Sequence, residues 1–180
     1  MNPAPNLVLV GPMGAGKTSI GKRLAERLGL EFVDCDQRLE ELTGAPVPII
    51  FECEGEAGFR QREAALIAEL MRGRDRLVAT GGGAVLSPAN RTALRERGYV
   101  VHLSVGVEQQ LERLARDRQR PLLNTPDRRA RLEALATERD PLYAEVADLV
   151  FASDGLAVAT AAERLAALLA SHWQREGEAA

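Results

Sequence analysis

The most specific chemistry in this chain lies near its N-terminus. Gly11-Pro12-Met13-Gly14-Ala15-Gly16-Lys17-Thr18 reads as Gly, four residues, Gly, Lys and Thr, the spacing of a phosphate-binding loop. Its glycines let backbone N–H groups curl round an anion without Cβ clashes. Lys17 adds a full positive charge, and the Thr18 hydroxyl is suited to Mg²⁺. The context agrees. The apolar run Leu7–Val10 precedes the loop, and a helical stripe of Ile20, Leu24 and Leu28, stopped by Gly29, follows it. A helix starting near Lys17 points its positive end at the same anion.

Other residues extend this chemistry. Asp34 and Asp36 stand one residue apart at the end of a short apolar run, where like charges need a cation or hydrogen-bond donors. A polar turn with a helix N-cap is the alternative. Gly81-Gly82-Gly83 is entropically costly to order and suggests close approach to a ligand, or else a flexible turn. Glu63 lies four residues from both Phe59 and Ile67, so it falls on the apolar face of a helix, where a carboxylate needs a partner. Arg60, three residues earlier, can reach it. Either Glu63 orients Arg60 toward an anion, or the two form a surface ion pair. Arg139 occupies the stripe of Leu132, Leu135 and Tyr143, and an inward guanidinium wants an anion, unless Pro141 kinks the helix and turns it outward. Arg113, Arg116, Arg118 and Arg120 form a basic segment placed where a lid could close. A lid arginine would neutralise a transferring phosphoryl group, whereas Arg116 and Arg118 read as solvated.

The elements that must position these residues alternate along the chain. Strands are expected at 7–10, 31–34, 77–79, 99–103 and 149–151. Helices are expected at 17–28, 37–42, 59–71, from Ser87-Pro88 to Gly98, from Val107, from about 127 to 146, and through Val158 to Leu169. Ile49–Cys53 is read only as a short apolar segment. Met1–Asn6 is read as a loose end and the polar tail to Ala180 as frayed. Short, continuously apolar strands alternating with helices predict an α/β domain: a five-stranded parallel sheet with helices on both faces. Ligands in such sheets sit beyond the C-terminal strand ends, where the loop, the aspartates and the glycines all fall.

The chain has 180 residues and a net charge of −3, consistent with one domain and no bulk attraction to nucleic acid or anionic membrane. No apolar run is long enough to span a membrane, and no signal peptide is evident. Cys35 and Cys53 make no metal or disulfide framework and are expected as free thiols in a reducing cytoplasm. His102 and His172 lack partner motifs and read as structural.

Taken together, Gly11–Thr18, Asp34-Cys35-Asp36, Phe59-Arg60 with Glu63, Gly81–Gly83, Arg120-Pro121-Leu122-Leu123, and Arg139 with Pro141-Leu142-Tyr143 resemble the shikimate kinase family in the family's order, over roughly residues 7–170. The usual Ser or Thr between the aspartates is here Cys35. The resemblance implies a nucleoside-monophosphate-kinase-like fold, with a substrate-binding segment at about 34–62 and a lid at about 113–126. It implies transfer of the ATP γ-phosphate to the 3-hydroxyl of shikimate. ATP would contact Gly14, Ala15, Gly16, Lys17, Thr18, Ser19, Arg113 and Arg120, with Arg113 against the adenine. Mg²⁺ would sit at Thr18 and, through water, Asp34. Shikimate would meet Asp36, Arg60, Gly81, Gly82, Gly83 and Arg139, with Asp36 the candidate base and Lys17, Asp36 and Arg120 the catalytic set. A cytoplasmic monomer is expected. Rival readings are a kinase of another small acceptor, such as gluconate or a nucleotide, and a nucleotide-dependent switch. A guanine-reading Asn-Lys-x-Asp stretch is absent from the sequence.

Overall fold

The strand β2 (Asn6–Val10) is the spine of the molecule. Its neighbours are β4 (Arg76–Ala79) on one side and β5 (Gly98–Ser104) on the other, with β3 (Glu31–Asp34) and β6 (Leu149–Ala152) at the edges. All four ladders are parallel. The computed structural model describes residues 2–117 and 120–175. The far end of the tail expected to fray, 176–180, and Met1 lie outside the described residues, as does Arg118.

Alternation along the buried strands splits the core between two faces. Leu7 and Leu9 of β2 pack with α1 (Lys17–Leu28) and α7 (Val158–His172) through Leu24 and Leu165. Val8 and Val10 face α3 (Val47–Arg72), α4 (Pro88–Arg97) and α6 (Arg128–Val146), through Ile67, Leu94 and Tyr143. A smaller apolar cluster joins Met13 of the loop to Leu114, Leu123, Leu132 and Leu135.

Local sequence explains most boundaries. Ser87 accepts from Asn90 N with Pro88 opening α4, and Asp127 accepts from Ala130 N at the start of α6. α2 (Cys35–Thr43) begins two residues earlier than its apolar pattern suggests, because Asp34 itself is the N-cap. α6 runs through Pro141; Leu135, Tyr143 and Val146 anchor it to the core on both sides of the proline, so the lost hydrogen bond is tolerated.

Several expectations are corrected. Ile49–Cys53 is helical: it belongs to the first turns of α3, which breaks at Gly55 (φ 69°, ψ 178°), a conformation essentially reserved for glycine. The break folds Phe51 onto Phe59, with ring centroids 4.7 Å apart, and Arg62 spans it with two hydrogen bonds of 2.7 Å to Glu54. The N-terminus is not loose, since β1 (Asn2–Ala4) pairs in parallel with β7 (Trp173–Arg175), the near end of the tail expected to fray. Two terminal segments with no periodicity of their own find their partner only in each other. Trp173 Nε1 donates to Ala4 O at 3.1 Å.

Asn6 shows no exposure and ties three segments together. Its amide donates to Gly73 O (3.0 Å) and Arg97 O (3.2 Å) and accepts from Arg76 N (3.2 Å). Asn6→Ala strands these backbone groups, so we expect a loss of about 2–3 kcal/mol in urea unfolding. A change within error would show that water satisfies them.

Candidate active site

The phosphate-binding loop takes its shape from backbone positions open to glycine: Gly11 has φ 145° and Gly16, the residue before α1, has φ 95°. A Cβ on Gly11 would stand 2.2 Å from Leu103 O. Unlike α2, α4 and α6, α1 has neither a side-chain cap nor an acid in its first turn, leaving its positive end for an outside anion. Lys17 Nζ donates to Gly11 O (2.6 Å) and Pro12 O (3.0 Å). Burial, with Arg120 adding like-charge repulsion, lowers the Lys17 pKa to about 7.

Asp34 caps α2 through Oδ1 and accepts from Thr18 Oγ1 through Oδ2 at 2.5 Å. The N-cap foreseen as the alternative is therefore present. Asp36 leaves Oδ1 buried and without a hydrogen-bond partner. Burial, then Asp34, pushes its carboxyl up, against Lys17, Arg120 and Arg60. The Cys35 thiol between them is buried and held well above its ordinary value by burial and by the surrounding carboxylates, so it is a neutral packing group.

Glu63 is 0% exposed and accepts from Arg60 Nη1 at 2.8 Å, which rules out a surface pair. Burial pushes the Glu63 carboxyl up, against the pull of Arg60. Glu56 accepts from Arg60 Nη2 at 3.3 Å. Arg139 is 4% exposed and faces inward despite Pro141. Among the described residues, the buried side-chain atoms lacking a partner are Asp36 Oδ1, Arg60 Nε, Glu63 Oε2 and Arg139 Nε. All four residues line one cavity of about 310 Å³.

The glycine loop is crowded by the protein's own side chains. A Cβ on Gly81 would lie 2.9 Å from Glu63 Oε2 and 3.0 Å from Asp36 Oδ1, and one on Gly83 would lie 2.2 Å from Arg60 Nη2. Tyr143, whose role the spacing does not disclose, donates to Gly82 O at 2.5 Å and pins the loop to α6. Burial raises its pKa to about 12. A tyrosine in an apolar stripe is itself a signal that its hydroxyl has a partner. His102 stacks on Tyr143 with centroids 5.0 Å apart and lines neither cavity described here, as a structural histidine would.

A second cavity, of about 410 Å³, is lined by Gly14, Gly16, Lys17, Ser19 and Arg113. Arg113 donates to Gly14 O (2.7 Å), Ser153 Oγ (3.2 Å) and Ser153 O (2.8 Å). Ser153, unmarked in the sequence, also donates to Ala15 O at 2.8 Å and so braces the loop from the end of β6. The two cavities share Thr18, Asp34, Asp36, Gly81, Gly82 and Arg120. Arg120 donates to Asp117 at 2.9 Å, and Arg128 holds the base of this segment by donating to Leu114 O and Asp117 O, both at 2.6 Å. Arg116 is exposed, as expected.

The shikimate kinase family model matches residues 13–170. This chain belongs to the shikimate kinase family. A shikimate kinase of Stenotrophomonas maltophilia (strain K279a) is 56% identical over 176 residues, 98% of each chain. One of Xanthomonas campestris pv. campestris (strain 8004) is 56% identical over 174 residues, 97% of each. The structure of shikimate kinase from Acinetobacter baumannii in complex with shikimate superposes with a TM-score of 0.91 at 47% identity, covering 93% of this chain and 94% of that one. No helix among the described residues is long and apolar enough to cross a membrane.

Nucleotide binding should be linked to Lys17 protonation. With its pKa near 7, the free lysine is mostly neutral at pH 8, and phosphate contacts favour the charged form. Binding therefore raises the pKa and takes up a proton, so affinity falls as pH rises above 7. ADP titrations at pH 8 in buffers of different ionisation enthalpy should show uptake of about one proton per ADP. No uptake would mean that Lys17 is already charged.

Proposed function

We propose that the two adjoining cavities are the seats of ATP and shikimate, and that their shared wall is where the phosphoryl group passes. The reaction of the family is transfer of the ATP γ-phosphate to the 3-hydroxyl of shikimate, giving shikimate 3-phosphate and ADP. The observation that carries the placement is the convergence of buried, unpartnered carboxylate and guanidinium atoms in the cavity that Arg60, Glu63 and Arg139 line. An acceptor bearing both a carboxylate and hydroxyls satisfies them together.

Arg60 and Arg139 hold the carboxylate, for which a guanidinium fork is suited. Glu63 fixes Arg60, and the Gly81–Gly83 backbone lines the acceptor. Asp36 accepts a hydrogen bond from the reacting hydroxyl. As that oxygen bonds to the γ-phosphorus and the bond to the ADP oxygen breaks, Asp36 receives the proton; its raised pKa suits this. Lys17 and Arg120 neutralise charge on the transferring group, which is most of what such catalysis needs. Gly14–Ser19 cradle the phosphates, and Arg113 lies on the base side.

The Thr18 hydroxyl and Asp34 carboxylate fit Mg²⁺, because they are hard oxygen donors side by side, and Mg²⁺ takes few protein ligands beside phosphates and water. Thr18 would hold it directly and Asp34 through water. When bound, it neutralises charge on the β- and γ-phosphates. Residues 113–126 act as a lid over both seats, and 34–62 as the acceptor-binding segment. We take the protein to act as a monomer in the cytoplasm.

A coupled ADP-release assay with shikimate, quinate and gluconate tests this reading: turnover should be greatest with shikimate, and a preference for gluconate would reassign the acceptor. In the same assay Asp36→Asn should lower kcat by about 10³-fold with the fold intact by circular dichroism. Arg60→Lys should raise the shikimate KM by about tenfold or more and leave that of ATP near the parent value. Parent-like behaviour of either variant removes that residue from its role.

A further inference from the structure

Three consecutive glycines have little conformational preference of their own, so the shape of the 81–83 loop must come from its hydrogen bonds. Gly81 O accepts from Ala84 N and Gly83 O from Leu86 N, both at 3.1 Å. Those two bonds are local. The donor to Gly82 O is the Tyr143 hydroxyl, 61 residues away in sequence and at 2.5 Å. Tyr143 is 1% exposed, and its ring belongs to the same apolar cluster as Val10, Ala84 and Val85. A phenylalanine would fill that space without a phenol to desolvate. The carbonyl it holds accounts for the hydroxyl.

The peptide held in this way lies between two cations. A Cβ on Gly82 would stand 3.4 Å from Arg139 Nη1, and one on Gly83 would stand 2.2 Å from Arg60 Nη2. In a planar trans peptide the N–H points opposite to the C=O. Anchoring Gly82 O on Tyr143 therefore turns the Gly83 N–H away from Tyr143. That N–H donates to no backbone carbonyl among the described residues. Gly82, Gly83, Arg60 and Arg139 line the cavity of about 310 Å³, whereas Tyr143 does not. The hydroxyl thus stands outside the cavity and sets the peptide that both guanidinium groups abut. Arg139, one turn earlier on α6, also stands beside this hydroxyl.

We propose that Tyr143 is a positioning residue for the acceptor: its hydroxyl holds the Gly82–Gly83 peptide so that Arg60, Arg139 and the Gly83 N–H converge on one anionic group. The role in acceptor binding rests on the assignment above; the hold on the peptide does not.

Tyr143→Phe removes the oxygen and keeps the ring against His102. The shikimate KM should rise about fivefold or more, the worth of one hydrogen bond, with kcat and the ATP KM within about twofold of the parent. A general loss of stability would not separate the two substrates in this way. In an Arg60→Lys background the same change should cost less than about twofold, because the grip it serves is already lost. An unchanged shikimate KM, or an equal rise in both backgrounds, overturns the role in acceptor binding. In ¹H–¹⁵N spectra of the unliganded full chain, Tyr143→Phe should shift the Gly83 amide and the Arg60 and Arg139 Nε–H resonances. Unshifted resonances overturn the hold on the peptide. These spectra involve no acceptor, so they judge that hold even if shikimate is not turned over. Should Tyr143→Phe not fold, the parent chain labelled with 3-fluorotyrosine decides. An anion on the Gly83 N–H polarises the peptide and strengthens its carbonyl as an acceptor, so the Tyr143 ¹⁹F resonance should move when shikimate is added. An unmoved resonance overturns the proposal.

Discussion

The proposed acceptor end of the molecule depends on a buried ion pair with unspent hydrogen-bonding capacity. Glu63 has no exposed surface and holds Arg60 at 2.8 Å. Removing one partner of such a pair leaves a buried charge, typically at a cost of about 3–5 kcal/mol. Yet the pair is incomplete, since Glu63 Oε2 and Arg60 Nε find no hydrogen-bond partner among the described residues. Its position then dictates its surroundings. A side chain on Gly81 or Gly83 would displace the ends of Glu63, Asp36 or Arg60 from where they stand. Tyr143 holds the loop in place by its middle carbonyl. A small number of charges, buried short of full satisfaction, thus shapes a helix, a loop and a neighbouring helix around one cavity.

The nucleotide end uses the opposite device. There the protein withholds its own anions: α1 starts without a capping side chain or an acid, and Lys17 turns inward onto carbonyls of its own loop. The positive helix end and a desolvated lysine remain available for phosphate. Asp34 and Thr18, hydrogen-bonded to each other, stand between the two regimes, as do Asp36 and Arg120. In the proposed reaction, that juxtaposition of acidic and basic surroundings would let one group take a proton while another neutralises phosphate.

Much of this was legible from the order of residues. Gly11–Thr18 declares itself because its glycines, lysine and threonine are needed at fixed spacing within one local turn. Asp34 and Asp36 mark a strand end, and Ser87-Pro88 marks a helix start, for equally local reasons. The stripe positions of Glu63 and Arg139 showed charges on apolar faces, but each kept a bland alternative open. Phe51 was missed as a wall of the cavity beside Arg60 because the Gly55 break hides its helical period. Ser153 and Gln110 were missed because their partners, Ala15 O and Met13 O, are distant in sequence and are main-chain atoms, which carry no sequence signal.

The alternation of apolar runs and amphipathic stripes was enough for a parallel sheet with helices on both faces, since each element's period depends only on near neighbours. The phosphate loop needed nothing more. Burial is different in kind. Whether Glu63 and Arg139 face solvent or a ligand depends on what other segments pack over them, and whether Met1–Asn6 frays depends on a strand at the far end of the chain. Distances between residues far apart in sequence exist only once the sheet has closed. The pairing of Asn6 with three remote backbone segments, the glycines crowded by carboxylates and the common wall of the cavities therefore belong to the folded chain alone.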